Sequence, residues 1–254
     1  MTTKPFAGFL FLGLALSLSA QTPPDLTGVY YAIMRLPPGV VPPAPSAGAP
    51  AGPQPKPRAS APLADGSQGR GPNAASLTPE YMAKWEVIRK SRMAGSAEYD
   101  NSAKCLPPGM PSMMVMFYGM EVMQNKDKIT MFSELNDALR RVYLDGRKPS
   151  QKVLDDPTYA GYSTGHWEGD TLIVDTVALH PDSYIEGFSP HSDQMRVQER
   201  IRFREPGLLE DRVTVTDPKA LTKPWETVYS YRKAGPGKDE LREFACPEGL
   251  TDAK

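Results

Sequence analysis

The chain has 254 residues and a formal net charge of −1, and its lysines and arginines are scattered along the sequence. Phosphate binding needs a concentrated basic face, so the sequence argues against nucleic acid as a partner. After the N-terminal apolar run, no segment is apolar and long enough to span a bilayer as a helix. No membrane partner is therefore expected once that run is removed.

The first twenty residues predict a secretory signal peptide. Lys4 precedes an apolar run from Phe6 to Leu18, and small residues follow up to Ala20. A basic start, a short apolar core and small residues before the cleavage point are typical of such signals. The alternative is an uncleaved anchor. We expect cleavage near Ala20, which removes residues 1–20 and makes the mature protein periplasmic or secreted.

A first strand region at residues 21–36 precedes a long insert of low complexity at residues 37–75. Eleven prolines lie between Pro37 and Pro72, and Ala, Gly and Ser fill most of the rest. With few large apolar side chains, burial cannot offset the entropy lost on ordering. We predict a disordered insert. The alternative is a polyproline II ligand for a protein partner.

One helix, at residues 78–94, is predicted at the start of a barrel-like domain that spans residues 76–254. Thr78 suits the N-cap, Pro79 the first helical position and Glu80 the acidic first turn. Three large apolar residues follow at helical spacing and predict a stripe that packs on a sheet, namely Tyr81, Trp85 and Ile88.

Short strands with tight turns make up the rest of this domain. Strands are predicted after Ser112, at residues 128–135, 138–144, 194–204, 208–216, 226–231 and 241–246, and in both arms of a hairpin within residues 159–177. Successive short strands with one helix favour a mainly β fold. We predict an antiparallel meander that closes into a lipocalin-like barrel, with the one helix packed on it.

The predicted hairpin turns at Glu168-Gly169-Asp170 and carries His166. Strand alternation then places His166 and Asp175 on one face and within diagonal reach, while Trp167 lies on the core face. A carboxylate beside a histidine fixes its tautomer and raises its basicity. The alternative is that His166 is a rim residue and Asp175 caps the strand.

Glu199 is the candidate that strand alternation identifies most directly. Between Met195 and Arg204 the even positions are Arg or Gln and the odd positions are apolar, except for Glu199. A buried carboxylate must be paired, hydrogen-bonded or protonated. Two interpretations stay open, a functional carboxylate or a structural ion pair with Arg140 or Arg141.

Loop residues extend this candidate site. His191 and Asp193 stand just before the Glu199 strand and are expected at the barrel mouth. His166, His191 and Glu199 would then form an acid–base cluster with Asp175 as the partner of His166, or alternatively a two-histidine, one-carboxylate metal site. No local metal motif is present, so no cofactor is predicted. The expected ligand-binding residues are Arg141, Tyr143, Tyr162 and Asp193.

Methionines and cysteines leave two further alternatives. Six methionines crowd between Met110 and Met123, where soft thioethers could bind Cu(I) or, more simply, fill core space. Cys105 and Cys246 are the two cysteines, and in an oxidising compartment they could pair as a disulfide or remain separate thiols.

Several stretches resemble a largely uncharacterised family of secreted bacterial proteins, frequent in soil proteobacteria and acidobacteria. The matching stretches are DLTGV from Asp25, CLPPGMP from Cys105, RRVYLDGR from Arg140, GHWEGDTLIVDT from Gly165, PHSD from Pro190, Glu199-Arg200 and DPKALTKPW from Asp217. The Pro/Ala-rich insert departs from the family pattern. The resemblance implies export and no known activity. The hairpin also resembles tight turns of lipocalin-like barrels, a likeness of fold alone.

Two functions therefore follow as expectations for an exported barrel-like domain with an internal cavity that handles a small, partly apolar organic molecule. In the first it is an enzyme that uses the histidines and Glu199 for acid–base chemistry, as an isomerase, lyase or hydrolase. In the second it is a periplasmic carrier in which the same groups orient a ligand. Copper binding through the methionines is a weaker third alternative. The sequence leaves the oligomeric state open.

Overall fold

The computed structural model describes residues 22–33, 73–115 and 118–245. The predicted signal peptide, residues 37–72 of the predicted insert, Met116 and Cys246 lie outside the described residues. None of the helices in the described part is long and apolar enough to cross a bilayer.

The described residues form nine strands that close into one barrel in sequence order. The strands are β1 Gly28–Ala32, β2 Met120–Gln124, β3 Lys128–Ser133, β4 Ala138–Tyr143, β5 Tyr162–Glu168, β6 Thr171–Val177, β7 Arg196–Glu205, β8 Leu208–Thr216 and β9 Trp225–Lys233. β9 pairs with β1 and completes the barrel. The prediction of a mainly β, lipocalin-like barrel is confirmed. The region at residues 21–36, set apart in the sequence, supplies its first strand.

Two α-helices accompany the described strands, α1 at Pro79–Met93 and the five-residue α2 at Gln151–Asp155. α1 begins at the proline that the sequence indicates, and its stripe of Tyr81, Trp85 and Ile88 is buried. The indole Nε1 of Trp85 donates a hydrogen bond to the carbonyl of Gly187, 3.2 Å away. α1 is therefore the predicted helix, whereas the sequence did not indicate α2.

The strand pair β4–β5 departs from the antiparallel meander. Val142 pairs with Ser163 and Tyr143 with Thr164 in parallel, while the other neighbouring strands described are antiparallel. Parallel strands cannot be joined by a tight hairpin, so residues 144–161 cross over the outside of the barrel and contain α2. This crossover, absent from the prediction, forms one wall of the cleft described below.

Two predicted strands are corrected by the structure. Residues 112–115 form a 3₁₀ turn, and the strand expected after Ser112 begins only at Met120. Residues 241–245 contain no strand, so the predicted final strand is wrong. β9 already pairs with β1, and a closed barrel leaves no open edge for a further strand. The backbone amide of Arg242 instead donates to the carboxylate of Glu134 at 2.6 Å.

The interior of the barrel is lined by buried side chains from all around the wall. Most are apolar, and they include Leu172, Val174, Ile201 and Met131. Of the clustered methionines, Met110, Met113, Met114 and Met120 are buried and belong to this core, and Met123 is 43% exposed. Arg140, Glu199 and Asp211 are also fully buried, so the core contains charge-bearing side chains.

Candidate functional site

The acid–base cluster expected from the sequence does not assemble. The side chain of His166 lies on the outer face of β5, is 61% exposed and approaches Glu168 at 3.4 Å. Glu199 faces the interior and is inaccessible. Gly165 pairs with Val174, and Val174 pairs with Glu199, so Gly165 and Glu199 are on the same face of the sheet. His166 is the next residue on β5, so its side chain lies on the opposite face from that of Glu199.

His191 is buried in the loop before β7 and organises that loop. Its Nδ1 donates to the carbonyl of Ser192 at 2.7 Å, and its Nε2 lies 2.9 Å from the hydroxyl of Ser183. Burial lowers the pKa of His191, which favours the neutral ring. With both ring nitrogens occupied, His191 positions backbone and serine rather than presenting a base to a ligand.

Asp193 and Asp175 lie on the surface. Asp193 is 81% exposed, and its nearest cation is Lys219 at 3.8 Å. Asp175 accepts a hydrogen bond from the amide of Gln198 at 3.1 Å, so it has a partner other than His166. The hairpin register brings Thr164 opposite Asp175 and shows the two-residue turn, so the predicted face assignment holds although the predicted pair does not form.

Arg140 is the partner of Glu199. Its Nη1 donates to Glu199 Oε1 at 2.8 Å, and its Nη2 donates to Oε2. The remaining donors reach Thr176 Oγ1 at 3.0 Å and Ser163 Oγ at 3.2 Å. Of the two interpretations of Glu199, the structure therefore contains the ion pair with Arg140.

A second carboxyl, Asp211 on β8, lies beside this pair inside the barrel. Neither of its oxygens has a hydrogen-bond donor among the described residues. Burial and the neighbouring Glu199 carboxylate raise the pKa of Asp211 well above its ordinary value, while Arg140 opposes the shift. A protonated Asp211 leaves one positive and one negative charge inside the barrel. Asp211 could have been found in the sequence by strand alternation, because it stands between Leu209 and Val213 among the odd-numbered, apolar positions of β8.

An open cleft of about 560 Å³ lies on the outer side of the barrel wall. Its floor comes from the outward residues Leu139, Arg141 and Tyr143 of β4 and Tyr162 of β5. The crossover forms one wall through Lys152, Val153, Asp156 and residues 158–161, and the loop around Gly109 forms the other.

Tyrosine rings dominate the floor of this cleft. The rings of Tyr143 and Tyr162 are 5.2 Å apart and tilted by 32°. The guanidinium of Arg147 lies 4.3 Å above the ring of Tyr143 and is held by Asp145, whose pKa its hydrogen bonds lower to about 2. The Arg147–Asp145 ion pair therefore packs against the ring of Tyr143 and holds it in place.

The backbone of the crossover is tied down behind the cleft. Gly161 has φ +66°, and a Cβ there would lie 2.7 Å from Thr176 Cγ2 and 2.8 Å from the carbonyl of Val177. The amide of Met110 donates to the carbonyl of Tyr159 at 2.9 Å, which joins the two walls. The ring of Tyr159 stacks on His180 at 4.4 Å. These contacts make the cleft a feature of the packed backbone.

Three of the four predicted ligand-binding residues line this cleft together, namely Arg141, Tyr143 and Tyr162, and Asp193 is not among its lining residues. Lys152, Asp156 and Tyr159 were missed because the crossover was not predicted. In the described part of the chain no group of three or more His, Cys, Asp or Glu side chains suits a metal ion.

Cys105 ends the 3₁₀ turn Ser102–Lys104 with φ +59° and is disulfide-bonded. Cys246, the other cysteine of the chain, lies outside the described residues, so the Cys105–Cys246 pairing stays a prediction.

Comparisons of the chain with models of protein families, with curated proteins and with solved structures found no significant match.

Proposed function

We propose that this protein is an exported binding protein that holds a small, partly apolar organic molecule in the cleft between β4 and the β4–β5 crossover. The observation that carries the proposal is a cleft of about 560 Å³ whose floor is built from the rings of Tyr143 and Tyr162. Ligand pockets typically measure about 300–1,000 Å³ and combine apolar or aromatic walls with a few polar groups.

Binding without turnover is favoured because the residues of the enzyme hypothesis are dispersed. A general base must come within about 3 Å of the proton it removes, directly or through one water. His166 is outside the wall, Glu199 is paired inside it, and His191 is enclosed in a loop. The N-terminal sequence supports the exported location, as expected of a periplasmic carrier.

The proposal can be tested with N-phenyl-1-naphthylamine, an uncharged aromatic dye whose fluorescence rises in apolar surroundings. The mature protein should bind the dye saturably. Tyr143→Ala and Tyr162→Ala should each weaken binding about tenfold, because each removes a ring that the dye contacts. Tyr118→Ala is the matched control, since Tyr118 is 39% exposed and does not line the cleft.

Each outcome has a clear meaning for the proposal. Weaker binding in both cleft variants, with the control unchanged, supports the cleft as the ligand site. Equal affinities in all four proteins, or no saturable binding by the parent, would overturn it. Far-ultraviolet circular dichroism of each variant separates loss of the site from loss of the fold.

A further inference from the structure

We infer that the ligand of this cleft carries an acidic oxyanion group, a carboxylate or sulfonate, that Arg141 binds with Lys152 beside it. The flat apolar part of the ligand lies against Tyr143 and Tyr162. The inference rests on the proposed function, since it names the class of molecule that the same cleft takes.

The cations around the cleft differ in whether the protein pairs them. Arg147 is neutralised by Asp145, and Arg140 by Glu199. Arg141 and Lys152 line the cleft, and neither forms an ion pair or a side-chain hydrogen bond with any described residue. The lining of the cleft therefore includes two cations that pair with no described residue. It includes one carboxylate, that of Asp156, so its formal net charge is positive.

Arg141 lies next to both tyrosines on the floor of the cleft. Tyr143 pairs with Thr164 and Val142 with Ser163, so one step earlier on both strands Arg141 and Tyr162 are neighbours. Adjacent strands are about 4.8 Å apart, and residues two apart on one face are separated by about 7 Å. The backbone of Arg141 thus lies about 4.8 Å from that of Tyr162 on the next strand and about 7 Å from that of Tyr143 on its own strand.

The guanidinium of Arg141 suits an acidic group. Its planar fork of N–H donors matches the two oxygens of a carboxylate, and such charge-assisted pairs are stronger than neutral hydrogen bonds. A ligand whose ring rests on Tyr143 would place an attached carboxylate within reach of this fork. On the floor of the cleft, the tyrosines would therefore contact the flat ring of the ligand and Arg141 would bind its acidic group.

Asp156 provides the internal contrast. Asp156 lines the same cleft, so its negative charge would repel an anion and attract a ligand that carries an amine. The two ligand classes therefore predict opposite effects of removing its charge. For an acidic ligand, Asp156→Asn should strengthen binding; for a basic ligand it should weaken binding.

The experiment compares 2-naphthoate with 2-naphthamide, which have nearly the same shape and differ in charge. Each compound displaces N-phenyl-1-naphthylamine from the mature protein. Naphthoate should compete about tenfold better than naphthamide. Arg141→Gln should remove this preference and leave the affinity for naphthamide within about twofold, and Asp156→Asn should increase the affinity for naphthoate about twofold.

Arg196→Gln is the matched control, since Arg196 is an exposed arginine on β7 that does not line the cleft and the substitution changes the net charge equally. Retained preference in this variant, with loss in Arg141→Gln, supports the inference. Equal competition by the two compounds, or a preference that survives Arg141→Gln, overturns it while dye binding through the tyrosines still supports the proposed function. Loss of dye binding in the parent protein is the separate outcome that overturns the proposed function.

Discussion

Arg140 and Arg141 are consecutive residues of β4, yet their side chains enter opposite environments. Arg140 points into the barrel, where it is fully buried and donates to Glu199, Thr176 and Ser163. Arg141 points outward into the cleft and has no ion pair among the described residues. The charge of Arg140 is paired with that of Glu199 inside the barrel, whereas the charge of Arg141 is available to a ligand in the cleft.

The cleft residues, and not the buried charges, are therefore the candidates for ligand binding. Buried charge is a frequent sign of a functional site, but structural ion pairs perturb such groups equally. The interior network of Arg140, Glu199 and Asp211 is enclosed on all sides by core residues. The cleft is accessible, its cations are unbalanced, and its rings are fixed by packing. Substitutions in the two regions should therefore separate stability from binding.

The largest effect is expected from breaking the interior pair. Glu199→Ala removes the carboxylate that accepts two hydrogen bonds from the buried Arg140 guanidinium and leaves beside it only Asp211, which accepts none. This should lower the free energy of unfolding by about 3–5 kcal/mol. Urea denaturation of the parent and the variant measures the difference. Arg141→Gln is the control from the same strand, and its denaturation midpoint should stay close to that of the parent. A small effect of Glu199→Ala would mean that the interior pair is dispensable for stability.

The second prediction concerns the pH dependence of stability, which Asp211→Asn should reduce. Burial and the Glu199 carboxylate raise the pKa of Asp211 well above 3.8, so the folded protein keeps a proton that the unfolded chain loses above about pH 4. The contribution of Asp211 to stability is therefore complete below the unfolded pKa. It falls as pH rises, by up to about 1.4 kcal/mol per pH unit, until the folded pKa is reached.

Asparagine cannot ionise, so Asp211→Asn should gain stability relative to the parent as pH rises from about 4 to about 7. Denaturant unfolding at several pH values measures the gain. Asp175→Asn is the matched control, because Asp175 is an exposed carboxylate on the outer face of β6. Parallel curves for Asp211→Asn and the parent would show that the folded protein holds Asp211 ionised.

Strand alternation explains why the barrel and its interior were partly predictable. Alternating Arg and apolar residues in β7 place Glu199 inside, and the same rule applied to β8 places Asp211 on the apolar face. Alternation assigns faces within one strand. It does not say which face of β5 adjoins the face of Glu199, and that register placed His166 on the opposite side of the wall.

The cleft was less predictable because it depends on a non-local pairing. Arg141, Tyr143 and Tyr162 were expected to bind a ligand, but the sequence gives no sign that β4 and β5 pair in parallel. The connecting helix α2 has five residues, too few for a helical pattern to emerge. Lys152 and Asp156 come from that connection, so their position in the same cleft as Arg141 is visible only in the folded chain.

The third prediction tests whether the cleft depends on its backbone. Gly161→Ala places a Cβ at positive φ and within 2.8 Å of Val177 O, which should cost about 1–3 kcal/mol and displace the crossover. Affinity for N-phenyl-1-naphthylamine should fall together with stability. Gly187→Ala is the matched control, because Gly187 has φ +71° with open space around it and does not line the cleft. Unchanged dye affinity in Gly161→Ala would mean that the cleft tolerates movement of this wall.

The smallest effect is expected at His166, which belongs to neither region. Its side chain is 61% exposed on the outer wall, and its neighbour Glu168 keeps Arg200 as a partner at 3.1 Å after the histidine is removed. His166→Ala should therefore shift the Tm by less than about 2 °C and leave dye affinity unchanged. Thermal unfolding and dye titration with the parent and the variant measure both quantities. A large loss of dye binding in His166→Ala would place the ligand on the hairpin face, because the interior and the cleft do not contain this residue.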